Sequence, residues 1–180
     1  MFFNKPLNPI RIPKTLVLII GLSWLYAVCS QLTLWLPCMP VPVSLQPLPL
    51  YLATFMLGWP AVSAYVLYLL QGAMGLPIFA GMQGGFMRLL GPTGGYLIGF
   101  LCAIVFIAVV LEHVKSRWYW MLAAVYVANT LSFACGLWRL SSFVAATDLL
   151  VAGLYPFLLG DFVLKPLVLL TVMGVWLRRK

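Results

Sequence analysis

Apolar residues along this chain run in blocks about as long as a lipid bilayer is thick, with turn-forming and charged residues between them. Thr15 to Met87 holds no Asp, Glu, Lys, Arg or His. One spanning helix needs only about 20 apolar residues, so this stretch must hold several. Leu89 to Leu111 and Trp118 to Trp138 are two further charge-free blocks, each about one bilayer long. The punctuation predicts an all-α bundle of six transmembrane helices. Helix 1 runs from about Thr15 to Leu36, where Pro37 stops it. The stretch from Pro37 to Pro47 has too many prolines for a helix interior. Being neither charged nor markedly polar, it is expected to pack over the embedded body. Helix 2 follows to about Leu57, Gly58-Trp59-Pro60 makes a turn, and helix 3 runs from about Ala61 to Ala73. Helix 4 covers about Gly95 to Leu111, and Glu112 to Arg117 form a polar turn. Helix 5 covers about Trp118 to Leu137, a connector runs from Trp138 to Leu154, and helix 6 extends from about Tyr155 to Leu177.

Between helices 3 and 4 the pattern breaks. Gly75 to Gly95 holds seven glycines together with Pro77 and Pro92. Both residue types carry large helix penalties, so a continuous helix is not expected here. Irregular backbone at membrane depth is tolerated only where protein buries it or where it lines a cavity. This Gly-rich loop is therefore either an external loop or a re-entrant lid over a pocket, and in both cases the first place to seek a site.

Composition changes the picture in one respect. The chain has 180 residues, 64% hydrophobic and 8% charged. A soluble domain carries about 25% charged residues, so lipid, not water, must cover much of this surface. The formal net charge of +8 could suggest nucleic acid as a partner, but the basic residues cluster at the ends of apolar runs, where membrane proteins keep them on the cytoplasmic side. With six spans and both termini cytoplasmic, the inner segments hold Lys5, Arg11, Lys14, Lys115, Arg117, Arg178, Arg179 and Lys180, against Arg88 and Arg139 outside. That asymmetry points to a multi-pass protein of the cell (inner or plasma) membrane, a single domain over residues 1–180, with no nucleic-acid partner. The first apolar run is too long for the core of a signal peptide and no small-residue cleavage pattern follows it, so it reads as a retained helix. Cys29, Cys38, Cys102 and Cys135 show no close-paired spacing and read as small apolar residues, not as metal ligands.

The chemistry concentrates in few residues. Asp161 and Lys165 stand four apart on one face of helix 6, in its outer half. Ionisable residues inside a span mark a cavity or a bundle interior, although a neutralised pair can also tether helices. Arg88 interrupts the longest apolar stretch and shares the Gly-rich segment with Gln83. Its guanidinium offers a fixed fork of donors suited to a carboxylate, or can snorkel to lipid head groups. Gln46, Gln83 and Asn129 could bind ligand or bond to a neighbouring helix. Tyr96 could pack against a ring, as could Trp24 and Trp35, or all three could belong to the interfacial belt. Ser23 and Ala27 form a small-x-x-x-small pair on helix 1 that would let another helix approach closely. His113 is the only histidine, which leaves no metal site and no catalytic constellation. No phosphate-binding loop is present, because the glycines precede no Lys-Ser or Lys-Thr pair. Uphill movement of any substrate would have to draw energy from a partner.

Four blocks carry a resemblance: Pro40-Val41-Pro42-Val43-Ser44-Leu45-Gln46; Gly72-Ala73-Met74-Gly75-Leu76-Pro77-Ile78-Phe79-Ala80-Gly81; Leu90-Gly91-Pro92-Thr93-Gly94-Gly95-Tyr96-Leu97-Ile98-Gly99-Phe100; and Gly160-Asp161 with Lys165. In order and spacing they resemble the BioY family, the biotin-specific substrate-capture (S) components of energy-coupling factor (ECF) transporters. The resemblance implies a six-helix bundle with an outward-facing biotin pocket capped by the loops after helices 1 and 3. It also implies a membrane partner (the T component) and two cytoplasmic ATPases, the complex toppling the S component to release vitamin inside; no cofactor is implied. Under it, Asp161 and Lys165 match the ureido group of biotin, Arg88 and Gln83 its carboxylate, and Tyr96 its bicyclic ring. Ser23 and Ala27 stand where S components carry alanines at the same spacing, which implies a partner contact. Action alone, as a homo-oligomer or with shared ATPases all fit the sequence. So do three rival functions: transport of another small vitamin, an intramembrane enzyme using Asp161, and a structural subunit.

Overall fold

In a computed structural model the chain is described over residues 12–34, 41, 43–113, 118–161, 166–169 and 171. It is built from helices, with one two-residue hairpin pairing. Helix α1 covers Ile12–Gln31, α2 Pro47–Leu57, α3 Trp59–Ala73, α4 Phe86–Leu89, α5 Gly94–His113, α6 Trp118–Leu140, α7 Leu149–Gly153 and α8 Tyr155–Leu159. Strands β1 (Thr33–Leu34) and β2 (Val43–Ser44) pair antiparallel, with Thr33 opposite Ser44. Among the described residues three helices are long and apolar enough to cross a membrane: Pro13–Gln31, Gly94–His113 and Tyr119–Leu140. Their outward faces carry large apolar side chains, such as Val17 (71% exposed) and Val28 (61% exposed), as a surface covered by lipid requires.

The two helices in the middle of the chain are short, as their expected limits imply. α2 has 11 residues and α3 has 15. At 1.5 Å per residue they reach only about 16 and 22 Å, short of a hydrocarbon core of about 30 Å. The expected three-residue turn between them shrinks to one residue. Gly58 takes φ +66° and its N–H caps the Thr54 carbonyl, while Trp59 and Pro60 already belong to the first turn of α3. Proline fits there because its missing N–H would have had no helical partner. The predicted helix 6 is described in part, as α8, a wider turn at Gly160–Asp161 and helical backbone at 166–169.

The bundle is centred on α5 and α6, which form its most extensive helix pair. They approach closely because α5 turns glycines toward α6. A Cβ added at Gly99 would lie 2.7 Å from the Ser132 carbonyl oxygen, and one at Gly95 would lie 2.5 Å from that of Cys135. This Gly95-x-x-x-Gly99 seam is a small-residue crossing that the sequence reading did not single out. The pair it did single out, Ser23 and Ala27, is buried inside the bundle. Ser23 spends its hydroxyl on the Ile20 carbonyl.

On the other side α1 packs against α3 through stacked aromatic rings. Tyr26 meets Tyr65 edge-on at 5.9 Å, Tyr65 stacks on Tyr68 at 5.4 Å, and Tyr68 meets Phe79 of the Gly-rich segment at 5.5 Å. Buried hydroxyls need partners, and these donate to the carbonyls of Ala61, Leu97 and Ile78. Trp59 and Glu112 join the α3 and α5 ends through a 2.7 Å hydrogen bond.

The seam yields a direct test. Gly99→Ala should cost about 1–3 kcal/mol by overpacking, read as a lower melting midpoint of the detergent-solubilised protein. Gly21→Ala, where an added Cβ meets nothing within 4 Å, should change stability by no more than about 0.5 kcal/mol. Equal losses from both would refute the close α5–α6 contact.

Candidate functional site

The long α5–α6 pair, the short α2 and the Gly-rich segment leave a cavity at one end of the bundle, opposite Glu112. Its wall comes from stretches far apart in sequence. Val41, Ser44, Gln46 and Pro47 come from the segment before and into α2, and Phe79, Ala80 and Arg88 from the Gly-rich segment. Thr93, Tyr96, Leu97 and Phe100 come from the start of α5, and Asn129, Ser132 and Phe133 from α6. Phe157 of α8 and Asp161 beyond it close the ring.

The apolar part is a box of three rings. Tyr96 meets Phe133 edge-on at 6.0 Å and stacks on Phe157 at 6.1 Å, while Phe133 and Phe157 are 5.7 Å apart. The Tyr96 ring packs directly against Gly136, filling the space that a Cβ there would take. Its hydroxyl donates to the Gly153 carbonyl at 2.8 Å. Tyr96 is thus both a cavity wall and the tie that holds α7 to the bundle.

The polar part is set around Asp161, which is 4% exposed. Gly160 and Asp161 wind wider than an α-helix, a geometry found often at functional sites. Asn129 steadies this turn: its Nδ2 donates to the Asp161 main-chain carbonyl at 2.6 Å, and its Oδ1 accepts from the Tyr51 hydroxyl at 3.0 Å. Ser132 lies 3.4 Å from the same hydroxyl and reaches the Gly99 carbonyl across the helix seam. Asn129 therefore borders the cavity with its amide oxygen and one amide bond already committed to protein, and it acts first as a positioning residue. Gln46 is the contrasting case. It is 3% exposed, borders the cavity, and its Nε2 has no well-formed hydrogen bond among the described residues. A buried amide donor without a partner is costly, and a ligand acceptor would relieve it.

The structure thus brings Asp161, Arg88, Tyr96, Gln46 and Asn129 to one cavity. Gln83 is not among the residues lining it: its main chain pairs with Phe79, and its Oε1 is buried without a partner. Lys165 lies outside the described residues. Ser44, Thr93, Ser132, Phe79, Phe133 and Phe157 were not singled out by sequence reasoning. Ser44, Phe79 and Thr93 stood in the blocks that carry the resemblance, without a role of their own. The rest look like ordinary helix or loop residues until the fold assembles them. Among the described residues no cluster of three metal-ligating side chains occurs.

Comparison with known proteins gives a consistent outcome. The model of the BioY family matches residues 4–180. A protein of Thermotoga maritima named biotin transporter BioY is 35% identical over 130 residues, covering 71% of this chain and 76% of that one. Biotin transporter BioY2 of Lactococcus lactis subsp. cremoris is 34% identical over 158 residues, covering 85% and 84%. Among solved structures, the crystal structure of the S-component for biotin from an ECF-type ABC transporter superposes with a TM-score of 0.83. It covers 97% of this chain and 96% of that one at 24% identity, a likeness of fold.

The committed bonds of Asn129 make a prediction independent of any ligand. Asn129→Ala should destabilise the ligand-free protein by about 1–3 kcal/mol, because it leaves the Tyr51 hydroxyl with only the longer Ser132 contact and removes the amide donor from the buried Asp161 carbonyl. Thermal melting without added ligand reads this out, and an unchanged midpoint would remove the positioning role.

Proposed function

Since the chain belongs to the BioY family, we propose that it captures biotin at the outer face of the cell membrane and delivers it inward as the S component of an ECF-type transporter. The observation that carries this reading is the meeting of a buried carboxylate, an arginine and an unpartnered amide donor with an aromatic box in one cavity. Biotin has matching parts. Its ureido group presents two N–H donors and a carbonyl, its bicyclic ring is apolar, and its side chain ends in a carboxylate. Asp161 accepts from the ureido N–H groups, and Lys165, one helical turn on, donates to the carbonyl. Tyr96, Phe133 and Phe157 enclose the ring. Arg88, in the last turn of α4, takes the carboxylate in a charge-assisted pair. Gln46 supplies the remaining donor to a ligand oxygen, in the role first expected of Gln83.

The chain is one membrane domain over residues 1–180, with six helices crossing the bilayer and both ends cytoplasmic. It is a transporter component, not an enzyme. Lacking a phosphate-binding loop, it depends for uphill transport on a membrane T component and two cytoplasmic ATPases. A site whose buried polar groups bind specific ligand atoms discriminates strongly against analogues that lack them. Desthiobiotin, which keeps the ureido group, should therefore compete, and analogues without the ureido N–H groups should not.

Calorimetry on the purified protein tests the assignment. Wild type should bind biotin, and Asp161→Asn and Lys165→Met should each weaken binding more than tenfold, or about 1.4 kcal/mol. Absence of binding by folded wild type would overturn the biotin reading. Arg88→Ala should weaken binding of biotin at least tenfold yet leave its alcohol analogue, which has no carboxylate, unaffected. Equal losses for both ligands would move the carboxylate contact elsewhere.

A further inference from the structure

One side chain fastens the Gly-rich segment to α1. Gln31 sits in the last turn of α1, away from the cavity wall. Its Nε2 donates to the carbonyls of Ile78 (3.1 Å) and Phe79 (3.0 Å), and its Oε1 accepts from the Met82 N–H at 2.9 Å. A primary amide carries donors and an acceptor on one neutral group, which is what three main-chain partners of both kinds require. Neighbours reinforce the hold: the Ser30 hydroxyl lies 2.6 Å from the Ile78 carbonyl oxygen, and the Tyr68 hydroxyl lies 3.4 Å from it.

The segment so held is itself strained and borders the cavity. Phe79 and Gln83 exchange two main-chain hydrogen bonds, at 2.8 and 3.2 Å, around a tight loop. Within that loop Gly81 has φ +74° and Met82 φ +56°. This left-handed conformation is unfavourable for methionine, and the Gln31 bond to its N–H, from outside the loop, helps to hold it there. The Phe79 ring lies against Gly72, where an added Cβ would come within 2.2 Å of it. Phe79 and Ala80 are cavity wall. Gln31 thus governs part of the wall without touching the space it encloses.

We infer that Gln31 is the latch of the cavity: it holds the Phe79–Gln83 turn closed against α1, and its release sets the rate of ligand exchange. The ligand part of this inference rests on the biotin reading above, whereas the latch itself has a readout that needs no ligand. Three main-chain amides report on it, those of Phe79, Met82 and Gln83. In Gln31→Leu, of similar size but without polar atoms, hydrogen exchange at these amides should accelerate at least tenfold in full-length protein in lipid nanodiscs, with exchange in α5 and α6 unchanged. Labelled biotin should then associate and dissociate at least tenfold faster, with a smaller change in affinity. A purely structural role would instead lower the melting midpoint and the binding-competent fraction without raising the association rate, and that result would overturn the latch. So would unchanged exchange at the three amides, or faster amide exchange with unaltered biotin rates. Faster amide exchange in a protein whose wild type binds no biotin would uphold the clamp and overturn the biotin reading instead. Ser30→Ala, which removes one supporting bond and keeps Gln31, provides the milder variant if Gln31→Leu does not fold. It should raise both rates about threefold, and wild-type rates in it would overturn the latch.

Discussion

The close approach of α5 and α6 is the contact on which the rest depends. Gly95 and Gly99 let the two backbones come together, and the cavity wall is then drawn from both helices at once: Tyr96, Leu97 and Phe100 from one, Asn129, Ser132 and Phe133 from the other. The same approach lets Ser132 reach the Gly99 carbonyl and lets the Tyr96 ring settle over Gly136. In lipid there is no hydrophobic drive to press helices together, so tight van der Waals fit and interhelical hydrogen bonds have to do it. Side chains on the α5–α6 pair would separate the helices and dissolve the aromatic box with them.

Around this pair the molecule meets a second demand, that polar groups inside be matched by protein. Tyrosine hydroxyls and two amides do most of this, each linking elements distant in sequence. Tyr65 joins α3 to α5, Tyr51 joins α2 to α6, and Tyr96 joins α5 to the end of α7. Arg139 near the end of α6 donates to the Leu90 carbonyl and lies 5.2 Å from the Phe143 ring centre, tying the Gly-rich segment from the other side. Among the described residues Gln46 and Gln83 are the exceptions, each with one buried amide atom that lacks a well-formed hydrogen bond, and of the two only Gln46 borders the cavity. An amide donor that faces a cavity without a well-formed bond is a place for a ligand acceptor.

Much of the architecture was legible because lipid imposes long, charge-free runs. The limits of α5 and α6 lie within a few residues of those expected, since Glu112 and Arg139 bracket them. Asp161 and Arg88 stood out as charges in apolar surroundings, and both border the cavity. What stayed hidden was what depends on three-dimensional pairing. Gln31 at a helix end looks like a surface residue until Ile78, Phe79 and Met82 are folded onto it. Asn129 and Gln46 look alike in sequence, but one is committed to Tyr51 and Asp161 while the other is not. Gln83, in the same Gly-rich segment as Arg88, was assigned as an amide donor to the carboxylate, but its main chain is engaged by Phe79 and it is not among the cavity-lining residues. Ser23–Ala27 and Gly95–Gly99 carry the same small-residue spacing and both lie inside the bundle, and nothing local tells which of them forms the close helix crossing.

The brevity of α2 and α3 has a consequence for the membrane around them. Starting level with Glu112 through the Trp59 contact, α3 ends about 8 Å short of a typical hydrocarbon thickness, and α2 is about 14 Å shorter than that thickness. The recess above them is where the hairpin, the Gly-rich segment and the cavity sit. Helix alone is therefore of unequal height, tall at α5 and α6 and low at α2 and α3, and beyond α3 the exposed apolar surface is carried by Met74 and by Met82, Phe86 and Met87 of the Gly-rich segment. On this side loop side chains and not helix meet the lipid, and any mismatch left over is taken up by bilayer thinning or by a lean of the whole body, at fractions of a kcal/mol per ångström. Bilayer thickness thereby acts on the resting orientation of the protein, and through it on how deep below the lipid head groups the cavity mouth lies.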